Sequence, residues 1–155
     1  MVDNGFTPKV MIAGKGSESD SLLGQTRDLG LSHYIDFIGY VPEEEVLGLY
    51  NRSKILVAPS FDREGVLTTM LEAAACAVPT ITTSRCSMPE FIENGVNGFL
   101  VEPRDAESLS EKIQLLLKEE DLRNGLGKMS RSKAEKWSWD IKSKKLEDYF
   151  EGVIK

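Results

Sequence analysis

Short β-branched runs alternate with helical patterns along the first two thirds of this chain, and this alternation restricts the fold more than any other feature. The runs are Lys9–Ala13, Tyr34–Ile38, Lys54–Ala58, Pro79–Thr83 and Gly98–Val101, and the first three stop at Gly14, Gly39 and Pro59. Helical spacing fills residues 18–29, 43–52, 65–77 and 88–94. Several runs are apolar almost throughout, as strands covered on both faces are. Strict alternation predicts an α/β fold: a doubly wound, mainly parallel, Rossmann-like sheet of about five strands with helices on both faces.

The last third is helical. Asp105 is placed to cap a helix whose stripe is Ala106, Leu109, Ile113, Leu116 and Leu117. Leu122, Leu126 and Met129 mark a second helix, which Gly125 and Gly127 are expected to loosen. Ser138 is placed to cap a third, running over 138–155, with Leu146, Tyr149, Phe150 and Val153 on one side. Core packing is the expected role of all three stripes.

A chain of 155 residues is long enough to bury a core as one domain, 1–155. With 41% hydrophobic and 28% charged residues it has the balance of a globular protein, not of a disordered or fibrous one. Nineteen basic and twenty-five acidic side chains leave a net charge of −6, which argues against nucleic-acid binding but not against one local anion site. No apolar run reaches the roughly 18–20 residues that span a membrane, and Met1–Gly5 lacks a signal-peptide pattern. Two cysteines, Cys76 and Cys86, suit a reduced compartment. A cytoplasmic protein is expected.

Ligands of open α/β sheets sit beyond the carboxyl ends of the strands, and three features fall there. Gly14-Lys15-Gly16 serves either a tight turn or close backbone approach to a ligand. Tyr40 and Val41, after Gly39, offer either a stacking surface for a flat base or a cover for the core edge. The third feature is the stretch from Pro59 and Ser60 through Glu64, Gly65, Val66 and Leu67 to Glu72 and Cys76, where a helix is expected from about Gly65 to Cys76. Its N-terminus would offer N–H groups to an anion such as a diphosphate. Glu64 and Glu72, eight residues apart, could touch two ends of one ligand, since a carboxylate accepts from neighbouring hydroxyls. Glu72 is alternatively an ordinary solvated or capping glutamate. No His/Cys/Asp cluster has metal-ligand spacing, and His33, the single histidine, is expected in a loop or at a helix end.

The E-x7-E pair Glu64/Glu72, followed by Ala73-x-Ala75-Cys76-x-x-Pro79, closely resembles the donor-binding signature of group 1 (family 4) glycosyltransferases of the GT-B fold. The resemblance is to their C-terminal domain. It extends from Val10–Gly16 through Ile38–Val41, Leu56–Ser60 and Met88–Val101 to Trp137-Ser138-Trp139. It implies transfer of a hexosyl-type sugar, with retention and without a cofactor or metal, from a UDP-, GDP- or ADP-sugar to an acceptor. Glu64 would be the catalytic carboxylate, on the hydroxyls of the transferred sugar, and Glu72 would hold the ribose. Gly65, Val66 and Leu67 would lie near the diphosphate or sugar, and Ser60 would join the donor site. Gly14, Gly16, Tyr40 and Val41 would line the nucleotide.

Several positions depart from the family pattern. Leu67 replaces a glycine and is expected to crowd the sugar subsite, Ala77 replaces another glycine, and Arg85–Met88 stands where a glycine pair is common. The family also has a first, acceptor-binding domain, and its second domain opens with a strand and an Arg and Lys that clamp the diphosphate. Residues 1–8 carry no such elements. The chain is therefore expected to be a C-terminal half lacking its first strand, inactive alone, with the acceptor domain missing or supplied by a separate subunit. In the parent enzyme, attachment at a membrane periphery is compatible with this reading. In the usual strand order the missing strand is central, so Lys9–Ala13 and Lys54–Ala58 are expected to pair directly, or another polypeptide to fill the gap. A non-catalytic nucleotide-sugar-binding or partner-docking module is the alternative. A sugar-nucleotide epimerase fits less well, because the Ala-x-Ala-Cys context favours a transferase.

Overall fold

A computed structural model describes residues 7–60 and 65–153. Five strands alternate with helices among them: β1 (Val10–Ala13), α1 (Ser19–Asp28), β2 (Ile35–Gly39), α2 (Glu43–Arg52), β3 (Leu56–Ala58), α3 (Thr68–Ala75), β4 (Thr80–Thr83), α4 (Met88–Phe91) and β5 (Gly98–Val101). Three helices follow: α5 (Ala106–Lys118), α6 (Glu120–Glu135) and α7 (Trp139–Val153). The α/β class, the parallel pairing and the helical last third are as the sequence predicts.

The chain forms two compact units, residues 1–49 and 50–155. In the first, β1 and β2 pair in parallel, with Val10 opposite Ile35 and Ile12 opposite Phe37. The register slips after Ile12, so that Ala13 faces Gly39, and Gly14 donates its N–H to the Gly39 carbonyl at 2.7 Å. Both glycines have positive φ, 112° and 65°, which L side chains rarely adopt. In the second unit, β3, β4 and β5 form a parallel sheet in that order. Only β4 is buried along its whole length, as a central strand between two partners should be.

The expected direct pairing of the first and third strands does not form: among the described residues, β1 pairs with β2 alone and β3 with β4 alone. The expectation assumed backbone groups sealed inside a sheet, where leaving them unpaired is costly. The two strands instead belong to separate compact units, each with its own parallel sheet, and a strand's own residues do not determine which strand it pairs with. Residues 1–6 lie outside the described residues.

One core cluster joins Met70 and Ala74 of α3 to Met88, Phe91 and Ile92, with Val66, Leu67 and Trp137 packed on it. Trp137 meets Phe91 edge to face at 5.4 Å. A second joins Ile81, Phe99 and Val101 to Leu116 and Leu126, with Leu109 and Ile113 alongside. The α5 stripe therefore packs as its spacing implies, behind an Asp105 cap that accepts from the Ser108 N–H at 2.9 Å.

The other two stripes differ from expectation. The buried positions of α6 are Arg123, Leu126, Gly127 and Ser130, whereas Leu122 and Met129 are exposed. Nor do the glycines loosen α6, which is continuous over sixteen residues. A β-carbon on Gly127 would overlap the Ala77 carbonyl oxygen, so the glycine permits a close approach of α6 to the α3–β4 turn. Arg123, also buried, donates to the Leu116 carbonyl at 2.8 Å and tethers the end of α5. On α7, Leu146, Tyr149, Phe150 and Val153 are exposed and no residue is buried. Its stripe is amphipathic, but no element of its unit covers it.

Candidate functional site

Helix α3 begins at Thr68, not near Gly65, because Leu67 is extended (φ −68°, ψ 133°). Gly65, Val66 and Leu67 thus form an approach segment ahead of the helix. Glu64 lies outside the described residues. The Leu67 side chain, expected to crowd a sugar subsite, is half-buried and packs against the first core cluster beside Val66.

At its other end α3 closes with a six-residue hydrogen-bond pattern. Val78 donates to the Ala73 carbonyl at 2.8 Å and Ala77 to the Ala74 carbonyl at 2.9 Å, with Ala77 left-handed at φ 57°. This is a Schellman cap with alanine at the position that glycine favours. The cap and the buried Ala73 and Ala74 fix the helix, so Glu72 is presented from a rigid element.

Glu72 is exposed, but it is not a freely solvated glutamate. The Tyr50 hydroxyl, on the last turn of α2, donates to its Oε2 at 2.9 Å. Tyr50 is only 8% exposed. Burial first, then the hydrogen bond to Glu72 and its charge, hold the Tyr50 phenol above the ordinary tyrosine range. Cys76, the C-cap residue of α3, is half-buried. Burial pushes its thiol up, Arg131 draws it down and the Glu72 carboxylate adds to the rise. Sequence reading singled out Glu72 and missed Tyr50, since their partnership spans 22 residues. The available signal was a tyrosine on the last turn of an amphipathic helix, where a polar tip on an apolar body calls for a partner.

The loop after β3 is tied to β4. Thr82 Oγ1 donates to the Ala58 carbonyl at 2.8 Å, and Thr83 Oγ1 to the Ser60 carbonyl at 2.5 Å. Ser60, Gly65–Leu67 and Glu72 all belong to the second unit. Gly14, Gly16, Tyr40 and Val41 belong to the first. There the Gly14–Gly39 hydrogen bond brings the two loops together at the carboxyl ends of β1 and β2. Gly16 is held by Ser19, whose hydroxyl donates to the Gly16 carbonyl at 2.8 Å. Tyr40 is 71% exposed, so it does not cover a core edge, and Val41 is half-buried. Among the described residues no group of three or more His, Cys, Asp or Glu is arranged to hold a metal. No helix among them is long and apolar enough to cross a membrane.

Residues 7–133 match the family described as glycosyl transferases group 1. The chain is 30% identical over 136 residues to a D-inositol 3-phosphate glycosyltransferase of Corynebacterium jeikeium, covering 88% of this chain and 32% of that protein. It is 29% identical to the capsular polysaccharide biosynthesis glycosyltransferase CapM of Staphylococcus aureus, covering 100% of this chain and 40% of the relative. The fold superposes on a TarM mutant of S. aureus, solved with fondaparinux, alpha-GlcNAc-glycerol and UDP, with a TM-score of 0.80. The identity there is 27%, over 90% of this chain and 28% of the other. The chain thus spans about a third of the length of the curated relatives it matches. With the family pattern covering most of its residues, the chain belongs to the group 1 glycosyltransferases.

Proposed function

We propose that the chain is the donor-binding domain of a retaining glycosyltransferase that uses a nucleotide sugar and no metal or cofactor. In the reaction, the bond from the anomeric carbon to the diphosphate breaks. A bond to an acceptor oxygen forms on the same face, and the acceptor proton leaves with the diphosphate. Glu72 accepts hydrogen bonds from the ribose hydroxyls. Glu64 takes hydroxyls of the transferred sugar as the catalytic carboxylate. The backbone of Gly65–Leu67 and the polar turn at Ser60 face the diphosphate side, while Gly14, Gly16, Tyr40 and Val41 serve the nucleotide. The observation that carries the reading is the Glu72 carboxylate, exposed on a rigid helix and held by Tyr50. The UDP named with the TarM structure supports a nucleotide ligand.

The acceptor is read by a further domain or a separate subunit, so the 155-residue chain alone is expected to bind donor without turnover. We place the protein in the cytoplasm, with the parent enzyme compatible with a membrane periphery. Titrating the chain with UDP-, GDP- and ADP-sugars tests the reading. One nucleotide should bind, and Glu72→Ala should weaken it by about tenfold or more, the loss of a charged hydrogen-bond acceptor. Unchanged binding by Glu72→Ala would refute the assigned role.

A second reading, a non-catalytic nucleotide-sugar-binding or partner-docking module, draws on the uncovered apolar side of α7, where Tyr149 and Phe150 stand exposed. The genomic sequence ahead of Met1 separates the two. An in-frame second α/β domain favours the enzyme, and an independent start favours the module.

A further inference from the structure

We infer that Tyr50 is a positioning residue for donor binding: its hydroxyl fixes the Glu72 carboxylate in the orientation that accepts a ribose diol. This rests on the donor-site reading above and adds to it a residue outside the E-x7-E stretch.

An exposed glutamate ordinarily samples many rotamers, and a ligand that needs one of them must first freeze the rest. Glu72 is not in that position. A buried phenol, whose ring is fixed by its surroundings, donates to Oε2 at 2.9 Å. A hydrogen bond to an ionised acceptor is stronger than one between neutral groups. Oε1 makes no hydrogen bond to any described residue, so one oxygen is anchored and the other remains open to a ligand. The carboxylate can only accept, and the phenol spends its single proton on it. The pair therefore selects a ligand that brings its own donors, as a pair of neighbouring hydroxyls does. The packing around Tyr50 would be served equally by phenylalanine. The hydroxyl is the part that phenylalanine lacks, and its one partner among the described residues is Glu72.

Freezing one rotamer-rich side chain corresponds to roughly three- to tenfold in affinity. The test titrates the wild-type chain, Tyr50→Phe, Glu72→Ala and the double variant by ligand-observed NMR. The probes are UDP, GDP and ADP and their 2′,3′-dideoxy counterparts. Wild type should prefer the ribose form of the nucleotide it binds. Tyr50→Phe should lower affinity for that form by about three- to tenfold, leave the dideoxy form unchanged, and so shrink the preference. Tyr50→Phe should add nothing in the Glu72→Ala background. A merely structural tyrosine would lower the unfolding midpoint and leave the ribose preference intact. That outcome, or unaltered binding by Tyr50→Phe, overturns the inference while the donor site stands if Glu72→Ala still abolishes the preference. A Glu72→Ala variant that keeps the full preference, or a wild-type chain that binds none of the three diphosphates, overturns the donor-site reading and the inference together.

Discussion

Ala77 holds a left-handed backbone, φ 57°, at the position of the α3 cap where a glycine would carry no Cβ penalty. Ala77→Gly is therefore expected to stabilise the chain by about 1 kcal/mol, read as a higher urea midpoint at unchanged slope. At Gly127 the expectation has the opposite sign. A β-carbon there would overlap the Ala77 carbonyl oxygen, a backbone atom that a side-chain rotation cannot relieve. Gly127→Ala should cost roughly 1–3 kcal/mol or more by overpacking. Tyr50 contributes a pH dependence. Its folded phenol titrates above the ordinary range, whereas in the unfolded chain it ionises near pH 10. The unfolded state then binds fewer protons, so stability falls as pH rises above about 10. Relative to wild type, Tyr50→Phe should lose less stability between about pH 10 and 12, by at most about 1 kcal/mol per unit after solvent screening. Urea titrations at both ends of that window check it.

At the scale of elements, the turn between α4 and β5 hangs on one buried amide. Asn97 donates from Nδ2 to the Phe91 carbonyl at 2.9 Å and accepts from the Glu93 N–H at 2.7 Å. It is 1% exposed. Asn97→Ala leaves both groups unpaired and should cost about 2–3 kcal/mol, measured by thermal unfolding. Helix identity was legible from the sequence because apolar spacing reports the 3.6-residue period directly. Which side of α6 is inside was not. Hydrophobicity favoured Leu122 and Met129, but a helix pressed against a turn buries small residues, and so Gly127 and Ser130 face inward. The start of α3 was misread for a related reason: Val66 and Leu67 continue the apolar pattern, yet they pack on the core from an extended segment. Glu72 could be chosen from its chemistry and context. Its anchor could not, since Tyr50 lies 22 residues away along the chain and no local spacing links the two.

At the scale of the molecule, two units each carry their own parallel sheet. Amide protons should record the difference: β4, buried throughout, exchanges last, and β1, with both end residues exposed, exchanges early. Equal protection of β1 and β4 would contradict this. Fold class and the positions of the strands along the chain were legible because each strand has its own apolar signature. The single joined sheet was not a safe extension, because ladder partners are not encoded in a strand's own residues. The contact of Gly127 with Ala77 has a practical corollary for domain exchange among relatives. A C-terminal helical pair transplanted onto this sheet is compatible only if it arrives with a bare backbone at that one position. A donor sequence with any side chain there would displace Ala77 and with it the cap of α3, five residues beyond Glu72.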